Sequence, residues 1–410
     1  MKIRSLIIAL SASVALTACG TVPAQTAPAS DVANPADRAD VASDGAMALL
    51  PVLDTNAGAE ENVFFSPASI EQAFGILTLG SAGETRTQLQ SVLPPPASAR
   101  ALENDSDGVE VRLANALWLS DQWRFQQGFV EAAAARYDAT AERLDFSQQQ
   151  AAADRINAWA DEATEGLIPQ VISADAVDPG GAAFISNALY FDGLWANAFD
   201  GSENAPFLFG DGKERDFRLM TDIFDLATAR QGDWIAVRLP YRNPRYAMDV
   251  IMPRKRIVMQ SAPDIETIAT IGEKLAETDK QVVRMALPQM EIDYESGLIG
   301  PLRSLGLTLP FDPARADLSA MAQPGQSRLY VDKVTHLSKL QIFDIGTKAA
   351  AVTIMRIIPV SARRLPEDPY EFRVDRPFMV VIRDLELGAP LFVGRIANPQ
   401  AFQPEFEEDF

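Results

Sequence analysis

The two residue types most often recruited for catalysis or metal binding occur once each in this 410-residue chain, as His336 and Cys19. A Ser-His-Asp triad would have to be built on His336, because the serine hydroxyl needs an imidazole to take its proton. His336 lies in the alternating apolar run "RLYVDKVTHLSKLQIFDI" (328–345), where a hydrogen-bonded core histidine is the simpler role. One histidine and one cysteine cannot make a Cys/His zinc centre. Carboxylates are plentiful but scattered, and no spacing singles out an acid–base pair. The glycines of "GSAGETRTQL" lack the GxxxxGK[ST] spacing of a phosphate loop, and no strand precedes them. "GDGK" (210–213) reads as a turn. The residue types therefore point away from an enzyme, and no cofactor or metal is expected.

The net charge of −20 argues against nucleic acid as a partner, since phosphates need clustered Lys and Arg. A hydrophobic content of 47% over this length allows a sizeable core. At the N-terminus, Lys2 and Arg4 precede the apolar stretch "SLIIALSASVAL", of secretory-signal length and too short for a membrane span. It ends in "LTAC" (16–19), which resembles the lipobox of bacterial lipoproteins. That resemblance implies that residues 1–19 are a signal peptide and that Cys19 is lipidated, attaching the mature chain to the membrane. Gly20 stands where an Asp would, by the same resemblance, retain the protein at the inner membrane. The expected address is the outer membrane of a bacterial cell envelope, facing the periplasm or the outside. Residues 20–43, rich in Ala, Pro, Asp and Ser, read as a flexible tether, and residues 44–410 as the globular domain. With a single Cys no disulfide framework is possible.

Within the globular part, Ser66 and Pro67 are placed to cap and begin a helix. The dense apolar set Ile70, Phe74, Ile76, Leu77 and Leu79 predicts that this helix is largely buried. "VEVRLANALWLSD" (109–121) and "GGAAFISNALYFDGLWANAF" (180–199) read as central strands covered on both faces. Between them, "DRINAWADEATEGLIPQVI" (154–172) reads as an amphipathic helix ending near Gly166. "WIAVRLPYRN", "YAMDVIMP" and "QVVRMALPQMEIDY" read as alternating strands, "GLIGPLRSLGL" as a short helix, and 328–345 as a long strand or hairpin. "FRVDRPFMVVIRD" and "PLFVGRIANP" read as a closing hairpin pair. Helices come first and strands dominate later, so the fold class is mixed α and β with large, mostly antiparallel sheets.

Several of these stretches, in this order, resemble the motifs of the serpin family. They are "NVFFSPASIEQAFGILTLGSAGETRTQL", "RLANALW", "INAWADEATEGLI", "FISNALYFDGLW" and "LPQMEIDY", then "FRVDRPFMVVIRD" with "LFVGRIANP". The resemblance runs from about residue 44 to residue 400. It implies the serpin fold, with a large central sheet, further sheets, surrounding helices and an exposed reactive centre loop at about 344–371. It also implies inhibition by a suicide mechanism. A target serine protease attacks a loop bond and forms an acyl-enzyme. The cleaved loop then inserts as a new strand into the central sheet, trapping the protease in a covalent 1:1 complex. The inhibitor itself is expected to be a monomer.

The loop residues fit such an insertion. A strand entering a sheet needs one face that suits a core, with period two. Thr347, Ala349, Ala351, Thr353, Met355 and Ile357 form a face that is entirely small or apolar. Lys348, Ala350, Val352, Ile354, Arg356 and Ile358 form the other, which holds both charges. No proline interrupts the run before Pro359. By the resemblance, Gly346, Thr347, Lys348, Ala349, Ala350 and Ala351 form the hinge, and counting along it places the scissile bond at Val360–Ser361. "IIPVS" (357–361) resembles the bait of elastase-inhibiting members, so an elastase-like target is favoured. Arg363 or Arg364 would instead attract a trypsin-like protease. Trp195 matches the tryptophan under the top of the central sheet. Ser66, Ser69, Asn187 and His336 match the polar cluster that holds its middle strands closed. The chain departs from many relatives at Asp344 and Gln289, where an ion pair at the base of the loop is absent or weaker. The alternative is a non-inhibitory binding protein of the same fold, in which the hinge is usually spoiled by charge, Pro or bulk.

Overall fold

The computed structural model describes residues 45–94, 99–325, 328–347 and 368–402. Cys19 and the stretch 20–43 lie outside the described residues. So do Lys348, Ala349, Ala350, Ala351, Val360, Ser361, Arg363 and Arg364.

Helix α1 (Leu49–Ala57) leads into strand β1 (Val63–Phe65) and helix α2 (Pro67–Gly80). The Ser66 hydroxyl accepts the Ser69 N–H at 3.0 Å and caps α2, with Pro67 in the first turn. Nearly every position of α2 is buried, the polar Ser69, Glu71, Gln72 and Thr78 included. Gly75 lets it lie against Tyr137, since a Cβ at residue 75 would strike the phenol ring. Helices α3 (Gly83–Val92) and α4 (Ala99–Leu102) follow, then strands β2 (Asn104–Ser106) and β3 (Val109–Ser120). Next come α5 (Gln127–Tyr137), β4 (Thr140–Leu144), α6 (Gln149–Ala163) and β5 (Ala183–Leu194). Strands β6 (Gly201–Leu208), β7 (Glu214–Gln231), β8 (Trp234–Pro240) and β9 (Tyr246–Pro253) precede α7 (Ile265–Glu277). Then come β10 (Gln281–Pro288), β11 (Met290–Gly297), α8 (Ile299–Ser304), β12 (Thr335–Ile342) and β13 (Gly346–Thr347). The chain closes with β14 (Tyr370–Arg373), β15 (Phe378–Asp384), β16 (Ala389–Ile396) and β17 (Gln400–Ala401).

The strands form two sheets. One has the order β1-β16-β15-β9-β8-β7-β10-β14, with β6 also on β7. The other has the order β17-β11-β12-β13-β5-β3-β2, with β4 also on β3. Among the described residues, only β10 with β14 and β3 with β4 pair in parallel, so the antiparallel expectation holds. The largest core lies between the sheets, where Val111, Leu189 and Phe191 meet Val237, Met248 and Val250. A second packs α2 and α7 against the opposite faces, and a third lies under α6 around Trp118 and Phe146. Fully burying a side chain of Phe or Leu size contributes about 1.5–3 kcal/mol.

Three readings need correction. "QVVRMALPQMEIDY" is not one strand but two, β10 and β11, assigned to different sheets and divided after Pro288. Strand β9 does not alternate, because cores cover both of its faces. Residues 328–334 form no strand, and regular pairing on β12 starts only at Thr335. Helix α7 was not singled out from the sequence, although Asp264 caps it and Ile268, Ile271 and Leu275 line its buried face. It caps a buried cluster in which Asp249 Oδ1 accepts from Arg238 Nε at 2.6 Å and Oδ2 from Arg383 Nε at 2.8 Å. The carbonyls of Gly272 and Ile268 on α7 accept the outer guanidinium nitrogens.

Candidate functional site

The second sheet has a discontinuity at its centre. Strand β3 holds β5 through a ladder from Val109↔Gly193 to Leu119↔Ala183, and β11 holds β12 from Met290↔Ile342 to Gly297↔Thr335. Between β5 and β12, however, the described residues supply only β13. Thr347 pairs with Ile342 on one side, and Gly346 and Thr347 pair with Leu194 and Gly193 on the other. Strand β13 is antiparallel to both neighbours, so β5 and β12 run parallel to each other. Below it lies a cavity of about 440 Å³ bordered by Ile185, Asn187, Leu189, His336, Ser338 and Leu340. Residues 183–188 of β5 are half-buried rather than covered on both faces. The reading of β5 as a fully covered strand is therefore corrected. Among the described residues, its neighbour on this side lies only at the upper end.

The upper end is built by aromatic packing around a tight reversal. Phe343 N donates to Gly346 O at 2.8 Å, which folds the chain back from β12 into β13. Trp195, just past β5, donates from its indole Nε1 to Phe343 O and from its backbone N to Ile345 O, both at 2.9 Å. Phe199 N donates to Asp344 O at 2.9 Å. The Trp195 ring is stacked on Tyr241, with centroids 4.6 Å apart and planes at 14°. The Tyr241 hydroxyl is 2.7 Å from Thr347 Oγ1. Glycine is required at residue 346, where a Cβ would run into the Gly193 carbonyl oxygen. Thr347 is only 3% exposed, so the start of the expected exposed loop is in fact inside the sheet.

Lower down, β5 and β12 are joined through the cap of α2. Ser66 N donates to His336 Nε2 at 3.1 Å. Ser69 Oγ donates to Asn187 Oδ1, Asn187 Nδ2 to Asn115 Oδ1 at 2.7 Å, and Asn115 Nδ2 to Tyr137 O at 2.8 Å. Ser338 Oγ donates to Phe64 O. The four residues named from the sequence, Ser66, Ser69, Asn187 and His336, thus meet in one network. Asn115 extends it through Asn187, and Ser338 ties β12 separately to Phe64; neither was singled out. Burial pushes the His336 pKa down to about 4, so the ring is neutral and Nε2 is available as an acceptor. That nitrogen is engaged by a backbone N–H, which ties strand to helix and does not activate a hydroxyl. Asp344 makes no ion pair with a described residue, while Gln289 N donates to Arg218 O at 3.1 Å. Among the described residues, no group of three or more His, Cys, Asp or Glu could hold a metal ion.

Tyr241, at the upper end, was also missed by the sequence reading. Its only signal was "RLPYRN", in which an aromatic follows a strand-ending Pro. Its partner Thr347 lies 106 positions away in the chain.

This architecture has counterparts among known proteins. Residues 41–399 match the family described as serpin (serine protease inhibitor). The chain is 30% identical over 366 residues to Serpin-ZXA of Oryza sativa subsp. japonica, covering 83% of this chain and 91% of that one. It is 29% identical over 363 residues to plasminogen activator inhibitor 1 of Neovison vison, covering 84% and 88%. The fold is similar to that of human thyroxine-binding globulin complexed with thyroxine. There the TM-score is 0.76 at 21% identity, over 89% of this chain and 99% of that one. The chain belongs to the serpin family, whose members are generally inhibitors that pair with serine proteases and are not enzymes themselves.

Proposed function

We propose that this serpin is inhibitory and acts as a suicide substrate. A protease serine attacks the carbonyl carbon of Val360, the Val360–Ser361 bond breaks, and the new amino terminus leaves at Ser361. The acyl ester then joins the protease to the segment that begins at β13. Insertion of that segment between β5 and β12 carries the protease away before water can hydrolyse the ester. One observation carries the reading: Gly346 and Thr347 already lie between two parallel strands, antiparallel to both. The residues that follow, with no charge on the Thr347 face and no Pro before Pro359, suit continuation in the same ladder. Each added backbone hydrogen bond contributes about 0.5–1.5 kcal/mol net.

Val360 fits the small apolar pocket of an elastase-like protease, and Arg363 or Arg364 gives the trypsin-like alternative. The lipobox-like "LTAC" supports attachment of the mature chain through a lipid on Cys19, with residues 20–43 as the tether and the outer membrane of a bacterial envelope as the site. To test the inhibitory reading, the full chain in mild detergent is mixed with pancreatic elastase and, separately, with trypsin. An SDS-stable complex with elastase, releasing a peptide that starts at Ser361, is expected. A complex only with trypsin, with the peptide starting after Arg363 or Arg364, would move the bait. Cleavage without complex or gain in heat stability would favour the non-inhibitory alternative.

A further inference from the structure

The Tyr241 ring is held on three sides. Trp195 stacks on it, Phe191 meets it edge-on at 4.9 Å, and Gly193 leaves no more room, since a Cβ there would lie 2.7 Å from Tyr241 Cδ1. Its hydroxyl is thereby fixed in position, and the residue is 1% exposed. Burial pushes the phenol pKa up, so the group stays protonated and keeps its hydrogen-bonding capacity. What the hydroxyl meets is Thr347 Oγ1 at 2.7 Å, on the last described residue of β13.

We propose that Tyr241 is a positioning residue for loop insertion, a catch that fixes Thr347 inward and so sets the register and facing of the strand that grows from it. Side chains alternate along a strand, and a slip of one residue exchanges the two faces. With Thr347 inward, Ala349, Ala351, Thr353, Met355 and Ile357 follow it to the core side. With the register slipped by one, Lys348 and Arg356 would be driven there instead. The catch therefore selects the facing that the sequence can bury. Its consequence for trapping rests on the inhibitory reading above: insertion competes with hydrolysis of the acyl ester, so a chain without the catch is consumed more often as a plain substrate.

The test uses the full chain with Tyr241→Phe, Thr347→Val, the double variant, and Thr347→Ser, which keeps the hydroxyl. The first readout is amide hydrogen exchange in the uncleaved protein. Loss of one buried hydrogen bond is expected to speed exchange of the segment 342–347 about fivefold. The double variant should add nothing further, Thr347→Ser should resemble the wild type, and β9 and β15 should be unmoved. The second readout is the number of chains consumed per pancreatic elastase trapped. It should rise severalfold in Tyr241→Phe while the rate of loop cleavage stays the same. Unchanged exchange at 342–347, or equal acceleration across the whole sheet, would overturn the catch. Faster exchange with an unchanged consumption ratio would overturn its role in insertion. If the wild type trapped no protease, the inhibitory reading would fall and the exchange data alone would decide the catch.

Discussion

His336 Nε2 accepts the Ser66 backbone N–H at 3.1 Å, which ties strand β12 to the N-terminal cap of helix α2. Through Ser69 and Asn187 the same cap reaches β5. The two parallel strands that flank the cavity are therefore connected by a buried helix end at mid-height and by β13 at the top. A bond through a titratable ring makes the first connection sensitive to pH.

Two buried groups should give stability opposite pH slopes. His336 has its pKa lowered from 6.5 to about 4, so the unfolded chain takes up a proton first as the solution is acidified. Its contribution is full above pH 6.5 and is lost as pH falls from 6.5 to about 4, by roughly 3 kcal/mol. Glu71, on α2, accepts the Ala46 N–H at 3.1 Å, and burial raises its pKa from 4.5 to about 7. The folded chain then binds the proton more tightly, so that contribution is full below pH 4.5 and is lost as pH rises to about 7. Thermal melting between pH 5 and 7 should separate the two. Glu71→Gln should leave a melting temperature that falls on acidification, and His336→Gln one that rises. Parallel curves for both variants would contradict these assignments.

Removing the buried anion of the Asp249 cluster should be costly. Asp249→Asn leaves Arg238 and Arg383 facing each other beneath α7 without a counter-charge. A loss of about 3–5 kcal/mol is expected. Urea unfolding monitored by fluorescence would measure it, and a loss below 1 kcal/mol would mean that water reaches the cluster.

A charge on the inward face of the loop should uncouple cleavage from trapping. Ala349→Arg would place a guanidinium on the Thr347 face. Elastase should still cut the chain at an unchanged rate, but the SDS-stable complex should disappear and the cleaved chain should not gain heat stability. Persistence of the complex would place insertion elsewhere than between β5 and β12.

Exchange of the bait should change the target class. Val360→Arg is expected to shift trapping from elastase to trypsin, with the released peptide still starting at Ser361. If trypsin already releases a peptide starting after Arg363 or Arg364 in the wild type, and Val360→Arg changes nothing, the bait lies at those residues.

Much of the framework could be read directly. Ser66 and Pro67 announce the start of α2 because capping is local chemistry, satisfied within one helical turn. The apolar runs that become β3 and β5 are visible as strands, although continuous burial holds only for the second half of β3 and β5 is half-buried over 183–188. The division of 281–294 into strands of two sheets was not visible. Pro288 permits it, but only the packing of β10 on β7 and of β11 on β12 requires it. Helix α7 was passed over although its signals are local, since Asp264 caps it by accepting the Thr267 N–H and Ile268, Ile271 and Leu275 recur at helical spacing. What the sequence could not show is that two of its carbonyls meet distant guanidinium groups.

By itself, then, the sequence determined the elements that rest on local preference and periodicity, the family to which the chain belongs, and a loop whose inward face is fit for burial. Only the tertiary structure decided where that loop begins. Thr347 was expected in the hinge of an exposed loop beginning at about residue 344, yet it is buried between Gly193 and Ile342 and bonded to Tyr241. Each of these contacts depends on strand register and on rings stacked from separate parts of the chain. Propensity and spacing describe what a residue can do among its neighbours in sequence, whereas its partner across a sheet is set by how the whole core closes.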